Sequence, residues 1–121
     1  MGTTWYSDFT TLMLRTKRQR TVLCRSCPVA KTADLVGDSI SLLILRDVLV
    51  KPRRFGDFEL SLAGVSSRTI SSKLRALEKR ALITRVPDPA AYPRIDYRAT
   101  AKGVALKAVV NAMRAYGKKY L

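Results

Sequence analysis

A chain of 121 residues with 23 lysines and arginines, nine acids and no histidine, net charge +14, is long enough for one domain, or one domain with a tail. Its 47% hydrophobic content is that of a globular protein, and no apolar run approaches the roughly 20 residues of a membrane span, so neither a transmembrane protein nor a disordered one is expected. The charge points to a polyanion, since phosphate neutralisation dominates such binding, and the lack of histidine and of a glycine-rich phosphate loop argues against an enzyme.

The charge is uneven. Residues 1–27 carry a net +4, and residues 28–65 balance at zero. Residues 66–80 hold Arg68, Lys73, Arg75, Lys79 and Arg80 against Glu78, a net +4 in fifteen positions. Residues 81–98 add +1 and residues 99–121 add +5. A membrane surface is the weaker partner, because no basic helix has a broad apolar face beyond what a core needs.

Residues 1–26 form a basic extension, in part helical. The spacing allows a helix over 9–23, with Phe9, Leu12, Met13 and Thr16 on one side and Arg15, Lys17, Arg18 and Arg20 toward solvent or phosphate. The N-terminus has no basic-then-apolar leader pattern, so the expected compartment is the cytoplasm. The folded part opens at Cys27-Pro28, since proline suits the first helical position. Val29, Ala33 and Leu35 or Val36 give an inward stripe, and Gly37 ends the element. Asp38 or Ser39 caps the next helix, whose Leu42, Leu43, Leu45, Val48 and Leu49 predict central burial; Pro52 stops it. Residues 54–60 predict a short helix with Phe55 and Phe58 facing the core together, and Ala63-Gly64 makes the turn.

Residues 65–82, VSSRTISSKLRALEKRAL, then predict an amphipathic helix. Ser66 is its cap, with Val65 before it as a staple. Ile70, Leu74, Leu77 and Ala81 follow the spacing of one buried face. A tight turn before the third of three short helices makes a helix-turn-helix. Residues 82–86 and 94–98 predict two strands around the stiff turn 87–93, with Arg94, Asp96 and Arg98 alternating against Ile95 and Tyr97. That hairpin is a wing. Thr100 caps one last helix.

A helix of this kind fits the major groove of double-stranded DNA, where arginine pairs with guanine and short hydroxyls read several edges. Ser66, Ser67, Arg68, Ser71 and Ser72 lie near the end that reaches base edges; Arg75 and Lys79 suit phosphate. Arg94 belongs to the wing tip. Arg53 and Arg54 contact the DNA backbone or pair with Asp57 or Glu59. Each residue alone has the plain alternative of a solvated charge, and the cluster carries the inference. The last helix holds more apolar surface than a small core uses, and Val109, Met113, Tyr116 and Tyr120 suit a homodimer whose two-fold axis sets two reading helices about one DNA turn apart. The alternative is that this helix covers its own subunit.

Cys24 and Cys27 form a lone CRSC. Two thiolates without histidine cannot fill a four-ligand metal site within one chain, and a zinc site would need the same pair from a second subunit, so no metal or other cofactor is expected. A helix N-terminus and nearby Arg25 favour a reactive thiol at Cys27, which suggests redox sensing. A local disulfide and an inert packed residue are the other readings.

Residues 27–117 resemble the HxlR family of winged helix-turn-helix regulators. The resemblance rests on CPV at 27–29, LLILRDVL at 42–49, PRRFGDF at 52–58, VSSRTISSKLRALEKRALITR at 65–85, YPRIDYRAT at 92–100 and AKG at 101–103. It implies a mainly α fold with a two-stranded β-hairpin wing. It also implies a reading helix carrying Ser67, Arg68, Ser71, Ser72 and Arg75, a wing at 86–94, and N- and C-terminal helices that form a homodimer interface. Some family members sense oxidants or electrophiles through a cysteine at the position of Cys27. Gly37-Asp38-Ser39-Ile40 departs from the Gly-Lys-Trp that the family often has there, losing an aromatic and a positive charge, and the extension before Cys27 is longer and more basic than usual. The domain organisation is then a winged helix-turn-helix over 27–98 and a dimerisation helix over 99–121. The expected function is a homodimeric, sequence-specific transcriptional regulator, with a weakly specific architectural DNA-binding protein as the alternative.

Overall fold

A computed structural model describes residues 27–121 with the exception of residue 92. The basic extension, its expected helix over 9–23 and Cys24 lie outside the described residues. The chain divides into two compact units, and the second runs from Asp38 to Leu121.

In the first unit, helix α1 spans Pro28–Val36. Pro28 takes the first helical position, where a missing N–H is not needed. Cys27 precedes it in extended conformation without a side-chain cap, and Thr32 Oγ1 donates to the Pro28 carbonyl at 2.8 Å. Gly37, at φ +96°, ends the helix in a conformation that a Cβ disfavours.

The second unit begins with α2, Ser39–Val50. Asp38 is its cap and accepts the Ser41 N–H at 2.9 Å. Lys51 is extended, as the residue before a proline must be, and this stops the helix. Ser41, Ile44, Leu45 and Val48 are buried and form one stripe. The uniformly buried α2 expected from its leucines is not observed: Leu42, Leu43 and Leu49 are only half-buried, because they lie off that stripe. Asp47 is buried instead. Its carboxylate accepts Arg46 Nε at 2.8 Å and Ser61 Oγ at 2.5 Å, which binds α2 to the end of the next helix.

Helix α3 spans Phe55–Ser61, and Asp57 Oδ2 accepts the Arg54 N–H at 2.9 Å. Phe58 is fully buried and meets Tyr97 edge-on at 5.9 Å. Phe55 is half-buried, so the expected pair of core phenylalanines reduces to one. The turn that follows uses Gly64 at φ +94°. Helix α4, Ser67–Lys79, starts at Ser66, whose Oγ accepts the Thr69 N–H at 3.1 Å. Ile70, Leu74 and Leu77 are buried as expected.

Ala81 does not extend that stripe. It is exposed at φ +60°, outside the helix. The Leu82 N–H reaches back to the Leu77 carbonyl and the Ala81 N–H to the Glu78 carbonyl, both at 3.0 Å. This is a Schellman ending with alanine in the place that glycine usually takes, closed by buried Leu77 and Leu82.

Strands β1, Ile83–Pro87, and β2, Ile95–Ala99, pair antiparallel from Ile83 opposite Ala99 to Pro87 opposite Ile95. Arg53 pairs with Tyr97 through both backbone groups, at 3.0 and 2.7 Å, so the hairpin is tied to the segment before α3. The clean alternation expected for β2 is absent. Asp96 is drawn in by Arg94 and Arg98, and Arg98 is the exposed residue of the strand.

The last helix is two helices. Thr100 caps α5, Ala101–Val104, by accepting the Gly103 N–H at 3.0 Å. The chain then turns at Ala105 and at Leu106, which is buried, before α6, Lys107–Tyr120. Gly103 is packed so closely that a Cβ would lie 2.1 Å from the Leu82 carbonyl oxygen.

Candidate nucleic-acid interface

The helix-turn-helix of α3 and α4 presents one polar stripe. With Ile70, Leu74 and Leu77 inward, the 100° step per residue sets Arg68, Ser72, Arg75 and Lys79 on the opposite side, and all four are exposed. No acid lies on this stripe. Arg68 has no hydrogen-bond or ion-pair partner among the described residues. Arg75 Nη1 donates to Ser71 Oγ at 3.1 Å, which holds the guanidinium against the helix one turn toward its N-terminus.

Two expected site residues, Ser66 and Ser67, are committed within the subunit, and so is the cation Lys73. Ser66 spends its oxygen on the cap. Ser67 is exposed, and its hydroxyl donates to Glu59 Oε2 at 2.6 Å. Lys73 lies beside the buried stripe and pairs with Asp38, so it leaves the basic face. Burial by itself raises the Asp38 carboxyl, but hydrogen bonds from Lys73 and Ser41 and the Lys73 charge outweigh it and hold the group below its ordinary value of 3.8.

Arg53 pairs with neither Asp57 nor Glu59. It is half-buried, and its Nε donates to the Asp47 carbonyl at 2.9 Å, so it anchors the wing. Arg54 is exposed. Arg94 is not a free cation at the wing tip. Its Nε is buried without a hydrogen-bond partner, 3.7 Å from the carboxylates of Asp88 and Asp96, too long for a hydrogen bond. The exposed cations of the wing are Arg85 and Arg98. Arg85 was missed in the sequence because a strand in LITRV gives no sign of which face is covered.

The four residues expected at a dimer interface are exposed on α6: Val109 at 37%, Met113 at 52%, Tyr116 at 61% and Tyr120 at 62%. No residue of α6 is buried. The Tyr116 and Tyr120 rings lie 4.9 Å apart. Val110, Met113 and Arg114 line an open groove of about 260 Å³ with Leu42, Leu43 and Arg46 of α2. Cys27 is a free, half-buried thiol.

Residues 35–121 match the family model of the HxlR-like helix-turn-helix. The chain is 35% identical over 95 residues to the HTH-type transcriptional regulator sll1512 of Synechocystis, covering 78% of this chain and 70% of the relative. It is similar to the crystal structure of PA1607, with a TM-score of 0.73 and 36% identity over 79% of this chain and 66% of that one. It is also similar to the reduced form of the transcriptional regulator YodB from Bacillus subtilis, with a TM-score of 0.66 and 28% identity over 78% of this chain and 93% of that one. YodB has also been solved in diamide-treated and quinone-bound forms. The chain spans 58% of the length of Mycobacterium tuberculosis relatives to which it is 38% identical.

Proposed function

The chain belongs to the HxlR-like helix-turn-helix family, and from that premise we propose that it is a homodimeric, sequence-specific DNA-binding regulator of transcription. The observation that carries this reading is the exposed stripe of Arg68, Ser72, Arg75 and Lys79, set opposite a fully buried stripe on one capped helix. Such a helix enters the major groove with its N-terminal residues toward the base edges. Arg68 and Ser72 read bases there, and Arg75 and Lys79 meet phosphate. Arg85 and Arg98 on the wing meet the flanking backbone. The apolar face of α6 joins a second copy, which supplies the second reading helix.

The reading extends to a thiol response at Cys27. Its support is the free thiol just before Pro28 and the likeness to a regulator solved in diamide-treated and quinone-bound forms.

The test is a salt-dependent titration of selected and scrambled duplex DNA, with and without diamide. A selected sequence bound at least about a thousandfold more tightly than scrambled DNA supports a regulator, whereas a ratio near one makes the protein an architectural binder. A diamide effect that survives in Cys27→Ser removes the thiol assignment and leaves the DNA reading intact.

A further inference from the structure

A carboxylate sits at the reading end of α4. Glu59, on the exposed side of α3, accepts the Ser67 hydroxyl at 2.6 Å, and Ser67 is the first residue of the reading helix. Five other acids of the fold have local work. Asp38 faces Lys73, Asp47 faces Arg46, Asp57 caps α3, and Asp88 and Asp96 face Arg94. No cation pairs with Glu59 among the described residues, so its charge stays uncompensated by a side chain beside a surface that otherwise suits a polyanion. Against phosphate alone such a group only weakens binding. Against base edges it discriminates, because a carboxylate accepts from the cytosine amino group and is repelled by acceptor edges such as guanine O6 and N7.

From this geometry we infer that Glu59 is a specificity-determining residue that selects cytosine at one position of the DNA site. Ser67 occupies Oε2 and steers the side chain, which leaves Oε1 as the acceptor for the cytosine N4 amino group. Ser67 is therefore a positioning residue, since its proton is spent on Glu59. This inference rests on the DNA-binding reading above and adds to it a base preference that the basic stripe does not supply.

The experiment is selection of bound sequences from random duplex DNA by the full chain, its Glu59→Gln and Glu59→Ala variants, followed by competition titration against scrambled DNA. Glu59→Gln can still accept the Ser67 hydroxyl, so it removes the charge and spares the bracket. The expected result is cytosine at one fixed position for the wild type. For Glu59→Gln that position relaxes or moves toward adenine. The ratio of selected to scrambled affinity falls about tenfold, and scrambled DNA binds more tightly. If Glu59→Gln returns the wild-type motif with an unchanged ratio, and only Glu59→Ala lowers the melting temperature, Glu59 is a structural bracket and the inference fails while the regulator reading stands. If the wild type itself returns no motif, sequence-specific recognition fails and the inference with it.

Discussion

Helices α4 and α6 have the same make-up and opposite fates. Both are amphipathic and basic and nearly equal in length, at 13 and 14 residues. In α4 the apolar stripe is consumed: Ile70, Leu74 and Leu77 are 0%, 2% and 0% exposed. In α6 nothing is buried, and Val109, Met113, Tyr116 and Tyr120 remain in water. An amphipathic helix has one face to give to its own core, and whichever face is left over is the one available to a partner. By that rule α4 offers polar groups and α6 offers apolar ones, which is the basis for proposing DNA as the partner of the first and a second copy as the partner of the second.

The contrast breaks most plainly under truncation. Leu74→Ala should destabilise the protein by about 2–5 kcal/mol, since it empties a fully packed site. Tyr116→Ala should leave the unfolding midpoint at high dilution nearly unchanged, because a side chain in water has little packing to lose. It should instead abolish the dependence of the midpoint on protein concentration that a dimer confers. Urea unfolding over a hundredfold range of concentration measures both effects. A midpoint of the wild type that ignores concentration would return α6 to its own subunit.

Next in size is Gly103→Ala. Its Cβ would strike the Leu82 carbonyl oxygen, a backbone atom just after the end of α4, and cannot be relieved by a side-chain rotation. Overpacking of this kind costs about 1–3 kcal/mol. Gly56→Ala, with nothing within 4 Å of the new Cβ, is the matched control for thermal unfolding.

Within the polar face, Arg68 and Lys79 should separate by role. Arg68→Ala should cost about 1–3 kcal/mol on selected DNA and relax one base of the motif. Lys79→Ala should weaken every sequence alike and reduce the salt slope by about one. Equal losses on selected and scrambled DNA for both variants would make the whole stripe a phosphate surface.

Much of this was legible because it is local. Pro28, Gly37, Ser66 and Thr100 punctuate helices through groups within four residues of themselves, and the buried stripe of α4 follows from periodicity alone. What was not legible depends on distant chain. Lys73 looks like one more cation of the basic face until Asp38, 35 residues earlier, comes beside it. Arg53 looks free until α2 and β2 close around it. Leu42 and Leu43 read as core because leucine density does not say which side of a central helix is covered. Ala81 fits the 3.6-residue period and yet lies outside the helix, because the Schellman ending is set by Leu82 folding back onto Leu77.

That ending yields a smaller prediction. Ala81 holds φ +60°, a region that costs an L-residue roughly 1 kcal/mol and glycine nothing. Part of the gain is offset by the greater freedom of glycine in the unfolded chain. Ala81→Gly should therefore stabilise the protein by a few tenths of a kcal/mol, up to about 1, without altering DNA affinity. Loss of stability would mean that the exposed methyl group makes a contact that outweighs the strain.

The smallest effect concerns the ion pair that removes Lys73 from the exposed polar face of α4. Asp38 has a folded pKa below its unfolded value near 3.9. The stability it contributes is therefore present above about pH 4 and is lost as pH falls through the folded value. Asp38→Asn keeps a competent cap for Ser41 and removes the charge that faces Lys73. At pH 7 the variant should be less stable than the wild type by under about 1 kcal/mol, since the pair is partly in water. The gap should close once acid has protonated Asp38, as urea midpoints taken from pH 7 down to pH 2 would show. A gap that stays constant across that range would assign the loss to cap geometry. Closure would show that α4 spends one of its cations, Lys73, on the fold, whereas α6 has no acid of its own with which to pair a cation within the helix.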